Sequence, residues 1–164
     1  MLRASWCGLA ALGAGLILFA AAAGVPAAPA AVLIALASCE LAWGALTLRA
    51  GRPLAPRFAV AAAGVVVAAV AVMLFSGAIG VLPLLALLAL HLSASLLIVL
   101  GLRVSERPGP RAETTLPRAQ PSLPRFVLLL TAEAMLVAAI TTPALAGTAP
   151  GEFAVPHGSS HQHR

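Results

Sequence analysis

The chain has 164 residues, of which 61% are hydrophobic and only 9% are charged. A soluble domain is about half apolar and about a quarter charged, so this chain lacks the polar residues that a water-exposed surface requires. The net charge of +5 would suit nucleic acid, but the arginines lie in segments between apolar runs and not on a basic helix face. The composition therefore argues against a soluble or nucleic-acid-binding domain and indicates a protein solvated by the lipid bilayer.

Five apolar runs follow one another along the chain, separated by polar or proline-containing segments. They cover residues 7–25, 31–48, 58–75, 82–102 and 126–144. A helix of about 20 residues crosses a hydrocarbon core of about 30 Å, and each run has about that length. Because a helix satisfies its own backbone hydrogen bonds in lipid, we predict an all-α polytopic transmembrane bundle of about five helices over residues 1–146.

The positions of the arginines predict the orientation of this bundle. All but Arg164, at the end of the tail, fall before the first run, between the second and third, or between the fourth and fifth: Arg3; Arg49, Arg52 and Arg57; Arg103, Arg107, Arg111, Arg118 and Arg125. The remaining connections, residues 26–30 and 76–81, carry no charge. Since basic loops stay in the cytoplasm, we predict an N-in and C-out topology with a disordered cytoplasmic loop at 103–125. The Ala-, Arg- and Gly-rich composition without Lys is typical of a GC-rich bacterial genome and hence predicts a bacterial inner membrane.

The first run has a second interpretation. Arg3, the apolar run and the small residues at 27–30 also resemble a signal peptide, although the run is long for the apolar core of one. We favour a retained helix; cleavage would leave four helices without changing their orientation. The run also carries Cys7, whose predicted depth differs from that of Cys39, so we predict two small buried thiols and no disulfide.

Three ionisable residues lie near the middle of apolar runs: Glu40, His91 and Glu133. A charged side chain at that depth costs about 2.5–3.5 kcal/mol on insertion scales, so each glutamate should either take up a proton or face the interior and find a partner, for which His91 is the candidate. A buried cluster of two carboxyls and an imidazole could relay protons or ligate a divalent metal. The alternative is that these groups only pair with one another and fix the helix packing.

The C-terminal segment, residues 147–164, is predicted to be a disordered extracytoplasmic tail. It carries His157, His161 and His163 on a chain with no apolar pattern. Imidazoles at this spacing could hold Cu(II), Zn(II) or Ni(II) weakly, and the alternative is a solvated polar tail.

Several short motifs resemble the membrane domain of the copper resistance D (CopD) family. They are Trp43-Gly44-Ala45-Leu46, Arg57-Phe58-Ala59-Val60 with the closing Ser76-Gly77, and the last run with Arg125, Ala132-Glu133-Ala134 and Thr141-Thr142-Pro143. Glu40 stands where that family typically has a histidine ahead of the tryptophan. Val155-Pro156-His157-Gly158 is similar to the tail of short actinobacterial-type membrane proteins. The resemblance implies a membrane bundle and copper as the ion that it handles.

The leading hypothesis is an integral membrane protein that handles or senses extracytoplasmic metal such as copper. The tail histidines would capture the ion, and the intramembrane cluster would hold or pass it. The alternative is a non-catalytic scaffold or assembly factor that acts through helix contacts with a membrane partner or a second copy. No nucleophile–base motif is visible, so we predict no enzymatic activity and no cofactor other than a divalent metal.

Overall fold

The computed structural model describes residues 2–77, 79–106 and 122–153, and these form helices and their connections with no strand among them. The helices are α1 Leu2–Ala22, α2 Ala27–Ala50, α3 Pro56–Phe75, α4 Val81–Glu106, α5 Leu123–Ala146 and the short α6 Ala149–Glu152. The first five are long and apolar enough to cross a membrane. The predicted all-α bundle of five transmembrane helices is thus confirmed, and its orientation stays a prediction.

The helices extend beyond the predicted bounds at most of their ends. α2 begins at Ala27 and not at 31, because Pro29 falls in the first turn, where a missing N–H costs nothing. α5 begins at Leu123 with Pro124 in its first turn for the same reason. α4 continues to Glu106, past the last apolar residue of its run. The predictions followed apolar runs, whereas a helix continues through the polar residues that flank the hydrocarbon core.

Helix α1 is the centre of the bundle. It packs against α2, α4 and α5, while α3 packs against α4 and α4 against α5. Buried residues make up 61% of the apolar window of α1 and only 6% of that of α5. Fully buried side chains from α1, α2, α3 and α4 fill the core: Ile17, Leu18, Leu33, Val70, Leu87 and Leu90. α1 is therefore the helix on which the other elements are assembled.

Glycines bring the backbones of α1 and α2 into close contact. A Cβ atom built on Gly44 would lie 2.8 Å from the carbonyl oxygen of Gly8, and one built on Gly15 would lie 3.1 Å from that of Ala37. In lipid there is no hydrophobic driving force between helices, so their association depends on close van der Waals packing. Small residues at a helix crossing allow the two backbones to approach closely enough for such packing. Gly64 on α3 has nothing within 4 Å of the corresponding position, so it lies on an open face.

The outer faces of the helices are apolar. Phe58, Val72, Phe75, Leu123 and Met135 are all more than half exposed. A soluble monomer rarely exposes contiguous apolar surface on this scale, whereas lipid chains solvate such a surface readily. The exposed apolar faces and the five long helices together fit an integral multi-pass membrane protein.

The start of the predicted tail is structured. Residues 147–153 contain α6, which packs against the ends of α5 and α1. Thr148, ahead of this turn, is buried and its hydroxyl donates to the carbonyl oxygen of Leu145 at 2.6 Å. The rest of the tail, with its three histidines, and loop residues 107–121 lie outside the described residues.

Candidate functional site

The candidate site is a pair of ionisable side chains from α2 and α4 in the middle of the bundle. Glu40 Oε1 lies 3.1 Å from His91 Nε2, and the two side chains are only 14% and 7% exposed. Both residues lie on helices that pack against α1. The structure thus brings together two of the three intramembrane residues that the sequence singles out.

The hydrogen bonds of His91 determine where protons lie in this pair. His91 Nδ1 is 2.9 Å from the carbonyl oxygen of Leu87, one turn earlier on α4. A carbonyl oxygen only accepts, so Nδ1 carries a proton and donates it. The contact between Nε2 and Glu40 Oε1 then needs one further proton, carried either by the imidazole as a cation or by the carboxyl as a neutral acid. In both states the pair holds one proton between Nε2 and Oε1 and has no net charge.

A small cavity adjoins the pair. Its volume is about 30 Å³, and it is lined by Glu40, His91, Cys7, Trp43 and a set of small residues. These small residues come from α1, α3 and α4: Ala10, Ala11, Ala14, Ala59, Ala63 and Ala94. A site needs about 10–15 Å³ to hold one water molecule, so the cavity has room for a water or a single ion beside the pair. Alanines create this space because they leave gaps that larger side chains would fill.

The third predicted residue, Glu133, lies elsewhere. It lines an open cleft of about 260 Å³ together with Arg3, Trp6 and Leu97, between α1, α4 and α5. Its Oε2 atom is buried and has no hydrogen-bond partner among the described residues. The structure therefore does not bring Glu133 to the Glu40–His91 pair, because α5 packs against α1 and α4 while Glu40 approaches from α2.

No group of three His, Cys, Asp or Glu side chains in the described part of the chain is arranged to hold a metal ion. The pair supplies two such side chains. Any further ligand would have to come from solvent or from residues outside the described ranges, such as the tail histidines.

A second, larger space lies on the outer side of the pair. We call it the α2–α3 crevice; it has a volume of about 410 Å³ and is lined by Leu36, Cys39, Glu40, Trp43, Ala55, Phe58, Ala59, Ala62, Val65 and Val66. Glu40, Trp43 and Ala59 also line the inner cavity, so these residues separate the two spaces. The Trp43 indole N–H donates to the carbonyl oxygen of Leu54 at 3.0 Å and ties α2 to the following connection.

The two cysteines lie one in each space. Cys7 is buried and lines the inner cavity, whereas Cys39 is exposed and lines the α2–α3 crevice. Both are free thiols, and the exposure of Cys39 corrects the prediction that both are buried. The reason is that α2 and α3 diverge on the outer side of the pair.

A polar contact between α1 and α4 was not foreseen from the sequence. The Trp6 indole N–H donates to Ser93 Oγ at 3.1 Å, and Ser93 donates in turn to the carbonyl oxygen of Leu90 at 3.0 Å. This short chain of hydrogen bonds fixes α4 against α1 within one helical turn of His91. The tryptophan near the start of the first run was the only available sequence signal, and it does not reveal a partner 87 residues away.

Comparison of this chain with models of known families, with curated proteins and with solved structures found no match. The resemblance to the CopD membrane domain therefore rests on the quoted sequence motifs alone. The geometry of the Glu40–His91 pair is the observation from which a function can be argued.

Proposed function

We propose that this chain is a bacterial inner-membrane protein that binds a divalent transition metal, such as copper or zinc, in exchange for a proton at the Glu40–His91 pair. The observation that carries the proposal is the 3.1 Å contact between Nε2 and Oε1 with Nδ1 committed to the Leu87 carbonyl. A metal-bound histidine almost always donates its other ring N–H to a carbonyl or carboxylate, which fixes the ring and its tautomer. His91 already has this arrangement.

The spacing of the two atoms fits a shared ion. Zinc lies about 2.0–2.2 Å from imidazole nitrogen and carboxylate oxygen, so two tetrahedral ligand atoms are about 3.4 Å apart. Nε2 and Oε1 are 3.1 Å apart, and a shift of a few tenths of an ångström would admit the ion. The proton between them would leave to water, and the pair, then singly negative, would carry a net charge of +1 with the divalent ion bound.

The small number of protein ligands favours transient handling over permanent storage. Structural metal sites are closed by four protein ligands, whereas exchangeable sites keep open positions for water. Here the described residues supply two ligands, and the alanine-lined cavity of about 30 Å³ leaves space for water on the ion. Imidazole with carboxylate suits Zn(II) and Cu(II). In this proposal the tail histidines capture the ion outside the membrane and the pair receives it.

The test is a metal and proton titration of the full chain in detergent. Zn(II) is added in weak buffer, bound metal is measured after gel filtration, and released protons are followed with a pH indicator. A background variant removes the tail ligands: His157→Asn, His161→Asn and His163→Asn. In that background we expect one ion per chain and about one proton released per ion.

Two substitutions and one matched control decide the result. Glu40→Gln or His91→Gln should abolish binding in the tail variant, because either removes one ligand and the exchangeable proton. Glu133→Gln, an equally deep glutamate outside the pair, should bind metal like the background chain. Unchanged zinc binding and proton release in both pair variants would overturn the proposal.

A second candidate function, a scaffold that acts through helix contacts, is favoured by α5. Buried residues make up only 6% of its apolar window, so almost the whole surface of this helix is free to contact another protein. A membrane helix with small residues at the contact could pack on this face. Crosslinking from α5 to one stable partner, with Glu40→Gln having no effect on assembly, would favour this function over metal handling.

A further inference from the structure

The α2–α3 crevice exists because two helices that are adjacent in the chain pack on different neighbours. α2 packs against α1, whereas α3 packs against α4. The gap between them has a volume of about 410 Å³, within the range of about 300–1,000 Å³ that is typical of ligand pockets. Phe58 and Val65 at its edge are 80% and 62% exposed, so the crevice opens on the outer face of the bundle, where lipid lies.

The lining of the crevice suits hydrocarbon. Leu36, Ala62, Val65 and Val66 form much of the surface, and Glu40 with Trp43 forms part of the wall shared with the inner cavity. An unfilled apolar groove would forfeit the dispersion contacts of its lining atoms. In a bilayer the chemistry of this lining therefore selects an acyl chain over water.

The mouth of the crevice is basic. Arg49, Arg52 and Arg57 are all exposed and lie on either side of Leu54 and Ala55, where the chain passes from α2 to α3. The sequence has no acidic residue between Glu40 and Glu106, so this stretch of the chain carries a net positive charge. Ala55 lines the crevice itself, and Phe58 follows Arg57 directly.

The connection at the mouth is held in one shape. The Trp43 indole fixes the Leu54 carbonyl at 3.0 Å, and Ala55 takes up a left-handed conformation with φ 44° and ψ 58° as α3 begins. A non-glycine residue reaches that conformation at a cost of about 1–2 kcal/mol, so it persists only where its surroundings impose it. Arg52 thus lies in a pre-formed turn next to the apolar groove, and Arg49 and Arg57 lie at the helix ends on either side of it.

We propose that the α2–α3 crevice binds an anionic phospholipid, with its phosphate on Arg49, Arg52 and Arg57 and one acyl chain lying in the groove toward Trp43. Basic pockets between transmembrane helices bind anionic head groups in this way. A second copy of the chain is a poorer occupant, because parallel insertion would place the same arginines of both copies at one level. The proposal does not depend on metal binding at the pair.

Fluorescence quenching by brominated lipids tests the proposal at the site. In a Trp6→Phe chain, Trp43 is the only tryptophan and it lines the crevice. The full chain is reconstituted in vesicles of phosphatidylcholine and phosphatidylglycerol. In one preparation the phosphatidylglycerol carries brominated acyl chains, and in the other the same amount of phosphatidylcholine carries them. We expect brominated phosphatidylglycerol to quench Trp43 at no more than about one fifth of the concentration that brominated phosphatidylcholine requires, since even one contacting arginine contributes about a five-fold preference and further arginines add to it.

Substitution of the arginines separates a bound lipid from ordinary boundary lipid. Arg49→Gln, Arg52→Gln and Arg57→Gln together should abolish the preference, whereas Arg103→Gln with Arg125→Gln, near the end of α4 and the start of α5, should retain it. If the triple variant does not fold by circular dichroism, Arg52→Gln alone, in the connection outside both helices, should reduce the preference. Equal quenching by both lipids, no quenching by either, or a Cys39–Cys39 disulfide between copies formed in place of quenching would overturn the proposal.

Discussion

Removing either member of the Glu40–His91 pair should destabilise the bundle by about 2–3 kcal/mol, and removing both should cost about the same. The 3.1 Å contact joins side chains that are only 14% and 7% exposed, and leaving a buried polar partner unsatisfied costs about 1–3 kcal/mol, more if that partner is charged. After Glu40→Gln, the imidazole of His91 no longer has a carboxyl with which to share a proton. After His91→Gln, the carboxyl of Glu40 no longer has an imidazole with which to share it. The double variant leaves two amides, which can bond to each other.

A double-mutant cycle measures this coupling. The free energy of unfolding is determined for the four chains by reversible unfolding in mixed detergent micelles, followed by circular dichroism. We expect the coupling energy of Glu40 and His91 to be about 2 kcal/mol. The control cycle uses Glu133→Gln with His91→Gln, which lie in different cavities and should be additive within about 0.5 kcal/mol. Additive costs for Glu40 and His91 would refute the inference that they share one proton.

Three further results are expected. Gly44→Ala should lower the free energy of unfolding by about 1–3 kcal/mol through overpacking, because the new Cβ would lie 2.8 Å from an α1 carbonyl oxygen. Gly64→Ala, where the new Cβ enters open space, should raise the free energy of unfolding by up to about 1 kcal/mol. Equal effects of the two substitutions would contradict the close α1–α2 contact. Maleimide should modify exposed Cys39 much faster than buried Cys7 in detergent, as mass spectrometry of the labelled peptides can show; equal rates would contradict the positions of the two thiols. Glu133→Gln should raise the thermal midpoint of unfolding. The buried Oε2 of Glu133 has no hydrogen-bond partner among the described residues, and a charged side chain near the middle of a membrane helix costs about 2.5–3.5 kcal/mol. A lowered midpoint would imply a partner for the carboxylate.

Helix number, and the position of a residue along its helix, could be predicted from the sequence because both follow from one-dimensional patterns. Apolar runs of sufficient length indicate spans, and the central position of Glu40 and His91 in their helices follows from their distance to the run ends. Helix ends were less accurate: α1 begins at Leu2 and α4 ends at Glu106, since helices continue beyond the hydrocarbon core into residues that no apolar run includes.

The direction in which each side chain points could not be predicted. Glu133 is as central in its apolar run as Glu40 and His91 are in theirs, yet it faces the cleft with Arg3 and Trp6. Depth depends on position along one helix, whereas direction depends on which helices pack together, and an alanine-rich sequence offers several equivalent small faces for packing. Gly44 shows the same difficulty, because its partner Gly8 lies on another helix and no spacing within α2 identifies it.

The proton between His91 and Glu40 can be observed directly by nitrogen NMR. In the chain with the three tail histidines changed to asparagine, His91 is the only histidine, so selective 15N labelling reports one imidazole. We predict a protonated, hydrogen-bonded Nδ1 and an Nε2 whose signal changes sharply when Zn(II) is added, with both features altered by Glu40→Gln. An unprotonated Nδ1, or an Nε2 signal that responds neither to zinc nor to Glu40→Gln, would contradict the account.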